Sequence, residues 1–318
     1  MQAPTIDDVR SAAEVVRHHL PRTLLYNWPL LSARLGFSFH LKHENHQPHG
    51  AFKIRGGVNL VSRLSDDERR RGIIGCSTGN HGQSLAFAAK KFDVPCTIVV
   101  PQVNNPDKVA AIRSLGAEII EHGRDFDEAK QHCEQLAVEK NLRYVHSANE
   151  PLLIAGVGTM ALEIFDVVAS PDVLLVPIGL GSGVCGAAIV AASVSPKTRV
   201  IGVQSTGASA VAQSWRQGKT IASERIDTFA EGLATRAPAE LTLDIMRRLM
   251  HDVVLVTDDE LREAMRWIIA DTHNLPEPAG AASTAAAWKL REPLAGRTVV
   301  GVLSGGNCDT RLLRELFA

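Results

Sequence analysis

Residues 73–90 read IIGCSTGNHGQSLAFAAK, a sequence in which a short apolar strand runs through a small-residue turn into an alanine-rich helix. Residues 73–76 have the apolar, β-branched character of a buried strand, and residues 81–92 have the spacing of a helix. The turn between them offers free backbone N–H groups at a helix start, where carboxylates and phosphates bind well. Such a strand–turn–helix unit is typical of a parallel sheet covered by helices.

The same alternation extends outward from this unit in both directions. In the first half we predict further strands at 97–100, 119–121 and 144–146, and helices around 105–115 and 125–140. In the second half we predict strands at 173–177, 200–203, 253–256 and 298–303. The pattern predicts an α/β protein with open, mostly parallel sheets flanked by helices.

Composition and charge exclude several classes of protein. Of the 318 residues, 45% are hydrophobic and 22% are charged, which is ordinary for a folded globular chain. The 34 basic and 35 acidic residues leave a net charge of -1, so we expect no nucleic-acid partner and no anionic membrane surface as partner. The five cysteines form no CxxC pair and the N-terminus lacks the pattern of a secretory signal, which favours the cytoplasm.

One stretch needs a comparison with a membrane span. Residues 173–195 contain no charged side chain, but Pro177 and several glycines interrupt the run. A spanning helix needs about 20 continuous apolar residues. We therefore expect a strand, a turn and a buried helix here.

Small-residue turns follow several predicted strands. They are residues 76–82, 179–183, 231–233 and 304–307. In open α/β sheets ligands collect at the carboxyl ends of strands. A single glycine turn is usually only a tight connection, but the combination of these turns indicates a binding site.

Lys53 is the candidate nucleophile. It lies between Phe52 and Ile54 in the segment GAFKIRGG, residues 50–57, so a partly buried position is expected. Burial disfavours the ammonium form and makes a neutral amine available, as an imine-forming lysine requires. The alternative interpretation is a solvated surface charge.

These motifs, in this order and at this spacing, resemble the fold-type II pyridoxal-phosphate enzymes, most closely the threonine/serine dehydratase and serine racemase group. The resemblance runs from about residue 22 to the end and rests on GAFKIRGG, STGNHGQSLAFAAK, EPLLIAGVGTMALEI, the 179–183 turn, EPAGAAS and LSGGN. It implies a fold like that of the tryptophan synthase β chain and a homodimer. It also implies a large cofactor-binding domain at 1–63 and 150–318 and a small domain at 64–149.

Carried over residue by residue, the resemblance makes Lys53 the Schiff-base lysine of pyridoxal 5'-phosphate and the general base. The residues that would hold the cofactor are Phe52, Lys53, Asn80, Gly179, Gly181, Ser182, Gly183, Gly232 and Ser304. The residues that would bind the substrate are His49, Ser77, Thr78, Gly79, Asn80 and His81. Asn80 would bind the ring hydroxyl. Ser304 would face the ring nitrogen without protonating it, which favours β-elimination over transamination.

The reaction that the resemblance implies is removal of the β-hydroxyl from a 3-hydroxy amino acid, which gives a 2-oxo acid and ammonia. The family usually has TGSFK where this chain has His49 to Lys53, which suggests a larger substrate such as 3-phenylserine or 3-hydroxyaspartate besides threonine or serine. Thr78 occupies the position of the racemase serine, so amino-acid racemisation is an alternative, and a helix cap is a structural explanation of the same residue. A non-catalytic relative that binds the cofactor is an alternative of another class.

No metal site is expected. The family's divalent-cation site uses a glutamate and an aspartate, and this chain has Gln204 and Ala210 at those positions. Hard cations prefer charged oxygen ligands. His43, His46 and His49 lie three apart, but side chains alternate along an extended segment, so we expect no zinc site there.

Overall fold

Two open sheets organise the chain, which the computed structural model describes at residues 1–104 and 106–318. The strands are β1 Leu25–Asn27, β2 Ser38–His43, β3 Ile73–Cys76, β4 Cys96–Val100, β5 Glu118–Glu121, β6 Arg143–Tyr144, β7 Val173–Pro177, β8 Arg199–Ser205, β9 Asp252–Val256 and β10 Thr298–Leu303. The helices are α1 Ile6–His19, α2 Pro29–Leu35, α3 Lys53–Ser62, α4 Asp66–Arg71, α5 Asn80–Lys91, α6 Pro106–Ser114, α7 Phe126–Glu139, α8 Pro151–Val167, α9 Ser182–Val194, α10 Ala210–Gln217, α11 Glu240–Leu249, α12 Asp258–Thr272, α13 Pro278–Lys289 and α14 Thr310–Phe317.

Within each of the two sheets, almost all neighbouring strands run parallel. The larger has the order β1-β2-β10-β7-β8-β9, and its β1–β2 pair is antiparallel while the other described pairs are parallel. The smaller has the order β5-β4-β3-β6 with parallel pairs throughout. The predicted fold class is therefore confirmed. The predicted domain boundaries at 63/64 and 149/150 stay a prediction.

Both faces of the larger sheet are buried. Along β7, Leu174 and Val176 point into a core shared with α8 and α9, whereas Val173 and Leu175 point into a core shared with α12 and α13. This alternation follows from the twofold repeat of a strand. Helices α8 and α9 approach closely where Gly158 and Gly186 face each other. A Cβ on Gly186 would lie only 2.7 Å from the Cα of Gly158.

The predicted elements agree with the structure except at their ends. The strand predicted at 144–146 is shorter, because the Nδ1 atom of His146 accepts hydrogen bonds from the backbone N–H groups of Ala148 and Asn149 and the chain turns away. Residue 105, where one predicted helix begins, lies outside the described residues. Strands β1 and β2, their antiparallel pairing and the helices α1 to α4 were not predicted from the sequence.

The charge-free segment 173–195 forms β7, a glycine turn and α9, as predicted. None of the helices in the described part of the chain has the length and apolar character that crossing a membrane requires.

Candidate active site

Three strand ends and the start of α3 meet at the candidate site. Strand β3 ends at Cys76, β7 at Pro177 and β10 at Leu303, and a small-residue turn follows each strand. Lys53 is the first residue of α3. Contacts between these segments bring the predicted lysine, the predicted phosphate turn and the last-strand turn together.

Lys53 reaches from α3 to two other segments. Its Nζ atom donates to the Oγ atom of Ser182 at 2.7 Å and to the carbonyl oxygen of Ser147 at 3.2 Å. Both acceptors are uncharged, and burial lowers the pKa of Lys53 to about 8. Compared with an ordinary lysine, Lys53 therefore carries a much larger fraction of neutral amine near neutral pH.

The turn at 179–183 forms a tight cradle at the start of α9. Gly181 has a φ of 100°, and a Cβ on Gly179 would lie 2.4 Å from the carbonyl oxygen of Gly232. A Cβ on Gly183 would lie 3.1 Å from the ring of Phe52. The first N–H groups of a helix lack intrahelical partners, and no side chain caps α9, so its start suits an anion.

Ser304 and Phe52 connect the last strand to the lysine segment. The backbone N–H of Phe52 donates to the carbonyl oxygen of Ser304 at 3.0 Å, and Ala51 forms a bridge with Gly305. The Ser304 side chain is buried, and Gly232 packs against Ala279 at the start of α13. These contacts place Ser304 beside the lysine segment, and Gly232 lies beside the glycine turn.

Asn80 begins α5 and is held on both sides of its amide. Its Nδ2 atom donates to the Oε1 atom of Glu277 at 2.8 Å, and its Oδ1 atom accepts from the Nδ2 atom of Asn307 at 2.7 Å. Burial raises the pKa of Glu277 to about 7. Both partners lie inside motifs quoted above, yet the sequence assigned neither of them a role. A lone acidic residue in the alanine-rich EPAGAAS segment was the available signal.

The turn from Ser77 to His81 leads into the first residues of α5. Gly79 is the N-cap of α5 and no side chain caps the helix, so the helix-cap explanation of Thr78 is wrong. The Oγ atom of Ser77 accepts from the backbone N–H of Gly79 at 3.2 Å. Burial and the Lys53 charge lower the pKa of His81 to about 3, which keeps that imidazole neutral.

His49 lies next to the lysine segment, and its ring packs against a helix of the smaller sheet. The ring meets Phe87 of α5 edge-on at a centroid distance of 4.6 Å. Its carbonyl oxygen accepts from the Nδ2 atom of Asn307 at 2.9 Å. Its buried Nε2 atom has no hydrogen-bond partner among the residues described, and burial lowers the pKa of the ring.

The positions compared above with a cation site have other partners. The Oε1 atom of the buried Gln204 accepts from the backbone N–H of Ala212 at 2.9 Å, and Ala210 is buried. Within the described ranges, no cluster of three or more histidine, cysteine, aspartate or glutamate side chains is placed to hold a metal ion.

The expectation of an extended histidine segment was wrong. Residues 44–46 form a short 3₁₀ turn, and the rings of His43 and His46 stack at 4.9 Å. The Nε2 atom of His43 accepts from the indole N–H of Trp28 at 2.8 Å, and His46 lies 2.6 Å from the Oδ1 atom of Asn274. Burial lowers the pKa of His43 to about 4, so this ring is neutral.

Comparisons with known proteins identify the family to which this chain is similar. A family model described as "Pyridoxal-phosphate dependent enzyme" matches residues 16–305. The chain is 36% identical over 318 residues to the L-threo-3-hydroxyaspartate ammonia-lyase of Saccharomyces cerevisiae, covering 100% of this chain and 98% of that protein. It is 34% identical over 313 residues to the L-threonine ammonia-lyase of Thermotoga maritima, covering 98% of this chain and 78% of that protein. The structure of maize serine racemase matches with a TM-score of 0.94 and 30% identity, over 99% of this chain and 97% of that one.

Proposed function

The chain belongs to the family of pyridoxal-phosphate dependent enzymes, and from this premise we propose that it is an ammonia-lyase for 3-hydroxy amino acids. The net reaction converts the substrate into a 2-oxo acid and ammonia. The hydroxyl group leaves Cβ as water, and hydrolysis then consumes one water as it releases the nitrogen. Relatives named L-threonine ammonia-lyase and L-threo-3-hydroxyaspartate ammonia-lyase, similar along nearly the whole chain, support this proposal.

The residues present fit the cofactor. The glycine cradle at the start of α9 would hold its phosphate, and Lys53 would hold it covalently. Phe52 and Gly232 would pack along the ring, Asn80 would bind the ring hydroxyl, and Ser304 would lie near the ring nitrogen. When bound, the cofactor supplies an electron sink that stabilises negative charge at the substrate Cα.

The single observation that carries the proposal is the position of the Lys53 Nζ atom, 2.7 Å from Ser182 at the start of α9, with a pKa of about 8. A lysine whose pKa lies near neutral pH accepts a proton and releases it readily. Lys53 would take the Cα proton and then hold the proton that the leaving hydroxyl needs. The backbone N–H groups of residues 77–81 would bind the substrate carboxylate, and the neutral His81 would add no competing acid.

A substrate panel tests the proposal. Purified holoenzyme is incubated with L-serine, L-threonine, L-threo-3-hydroxyaspartate and L-threo-3-phenylserine, and both 2-oxo acid and ammonia are measured. We expect equimolar products, a higher kcat/KM for the larger substrates because of His49, and no product from Lys53→Ala. Serine and threonine leading outright would overturn the larger-substrate expectation. Bound cofactor with no product from any substrate would identify a non-catalytic relative instead.

Racemisation is a second candidate function, favoured by one observation. The Thr78 hydroxyl is not used as a helix cap, so it remains available as an acid or base for the substrate. Structures described as maize serine racemase and as aspartate racemase, with TM-scores of 0.94 and 0.90, are similar to this chain. Chiral chromatography of the remaining substrate tests this function. Thr78→Val should abolish racemisation and Thr78→Ser should retain it, and equal enantiomer ratios in both variants would exclude the role.

We also propose a homodimer that works in the cytoplasm. The cysteines are free thiols, which suits a reducing compartment. Apolar side chains beside the β1 edge, Leu24, Tyr26 and Leu30, are 45%, 45% and 62% exposed, which suits a covered surface. Light scattering of the purified protein at several concentrations tests the dimer, and a monomer mass throughout would contradict it.

A further inference from the structure

A partly buried set of side-chain hydrogen bonds joins Asn80 to Glu277 and Asn307, and the function proposed above gives neither partner a role. The Asn80 amide nitrogen lies 2.8 Å from the Glu277 carboxylate, and the Asn80 amide oxygen lies 2.7 Å from the Asn307 amide nitrogen. The same Asn307 nitrogen donates to the carbonyl oxygen of His49 at 2.9 Å. The set therefore reaches the segment that contains Lys53.

The partners of Asn80 come from the other sheet. Asn80 is the first residue of α5, which packs on the smaller sheet. Glu277 is the N-cap of α13 and Asn307 follows β10, and both elements pack in the larger sheet. The side chain assigned to the cofactor ring is thus held by residues from across the boundary between the two sheets.

The hydrogen bonds determine which way the Asn80 amide is turned. An amide offers two N–H donors on nitrogen and an acceptor on oxygen. Since Asn307 donates to the oxygen, the nitrogen must face Glu277, and a flipped amide would set two NH₂ groups against each other. The bond to Glu277 uses one of the two N–H groups and leaves the other for a ligand.

Glu277 is confined where an acidic side chain is costly. It is 8% exposed and has no basic side chain within ion-pair distance among the residues described, although the charge of Lys108 acts on it from farther away. A Cβ on Gly305 would lie 2.5 Å from its Oε1 atom, so glycine backbone leaves room for the carboxyl. Burial of a carboxyl without an ion pair costs free energy. Its place beside Asn80 therefore indicates a task beyond packing.

We propose that Glu277 and Asn307 are positioning residues that fix the Asn80 amide so that its remaining N–H is presented to the ring hydroxyl of the cofactor. The proposal rests on the cofactor role assigned above to Asn80. Glu277 precedes a helix that packs on the larger sheet, and Asn307 follows a strand of that sheet. Cofactor binding at Asn80 therefore also requires the two sheets to keep their relative positions.

The test compares cofactor binding in variants of the full-length protein. Apoenzyme is titrated with pyridoxal 5'-phosphate, and the dissociation constant and the visible absorption maximum are recorded without substrate. Glu277→Ala and Asn307→Ala should each weaken binding about tenfold and shift the maximum, because loss of one oriented hydrogen bond has that effect. Glu277→Gln keeps the acceptor oxygen, so it should bind within about twofold of the wild type.

Two comparisons separate positioning from a general loss of stability. Asp271, on α12, is also 8% exposed and pairs with Arg34, so Asp271→Ala is a matched control that should lower Tm without moving the absorption maximum. In the Asn80→Ala background, Asn307→Ala should weaken binding no further. If Glu277→Ala binds like Asp271→Ala, or if Asn307→Ala adds its full effect without Asn80, positioning is refuted. If the wild type binds the cofactor without turnover, only the proposed reaction fails.

Discussion

Removal of the Arg55 guanidinium should destabilise the protein strongly, because Arg55 lies at the centre of a buried charge cluster under the lysine segment. Arg55 and Glu44 are both fully buried, and their Nε–Oε2 distance is 2.7 Å. Arg55 also donates to Glu163 at 2.7 Å, and the buried Lys42 donates to Glu163 at 2.5 Å. The cluster contains two positive and two negative side chains and is neutral as a whole.

The size of the effect follows from the charges left behind. Arg55→Met keeps the chain length but leaves Glu44 without its ion-pair partner in a site with no water access. Removing one member of a buried pair costs about 3–5 kcal/mol. At about 2.1 cal/mol/K of unfolding entropy per residue, a chain of this length should lose about 4–8 °C in Tm.

The assay is thermal and urea unfolding of wild type, of the single variants Arg55→Met and Glu44→Met, and of the double variant Glu44→Met/Arg55→Met. The double variant removes one charge of each sign and leaves the Lys42–Glu163 pair balanced, so it should recover at least half of the loss. The control is Arg248→Met, because the Arg248–Asp244 pair is 54% and 61% exposed and is worth less than about 1 kcal/mol. If the double variant loses as much free energy of unfolding as its two single variants together, the charge argument is refuted in favour of packing.

Two further predictions concern the lysine and the cation position. Since the pKa of Lys53 is lowered to about 8, the rate at which apoenzyme takes up cofactor should rise with pH and level off above about 8. The free energy of unfolding of the apoenzyme, measured relative to Lys53→Met so that the buried cysteines contribute equally to both proteins, should rise between about pH 8 and pH 10. Stopped-flow absorbance and urea unfolding measure these effects, and a rate that still rises tenfold between pH 9 and pH 10 would contradict the low pKa. Because neither Gln204 nor Ala210 offers a carboxylate, a chelator should leave kcat and Tm unchanged, and the double variant Gln204→Glu/Ala210→Asp, which restores both carboxylates, should make Tm depend on Mg²⁺.

The strand order of the larger sheet shows what a single sequence can and cannot predict. Apolar runs and the turns after them predicted β3, β7 and β10, because burial on both faces leaves a continuous apolar signal. The placement of β10 between β2 and β7 depends on contacts between distant segments. No local pattern encodes that neighbourhood.

The site divides in the same way. Backbone features such as the glycine cradle and the uncapped start of α5 were predictable, because they require small residues at fixed spacing. The pairing of Asn80 with Glu277 and Asn307 joins positions 197 and 227 residues apart, so only the folded chain brings them together. The stacked His43 and His46 rings were missed for a local reason, since the 3₁₀ turn replaced the expected extended backbone.

The low pKa of Lys53 results from burial and not from a neighbouring charge, although Arg55 lies on the same helix. Lys53 and Arg55 are two residues apart on this helix. A guanidinium without a carboxylate partner at this distance would repel the Lys53 ammonium. Glu44 and Glu163 neutralise Arg55, and burial is the one cause that lowers the pKa of Lys53. Loss of contact with water therefore brings the pKa of the Lys53 amine close to neutral pH, while the charges of the Arg55 cluster cancel within the core. The substrate capture proposed above, by backbone N–H groups and the Lys53 amine, requires no large surface field to draw the substrate into the site.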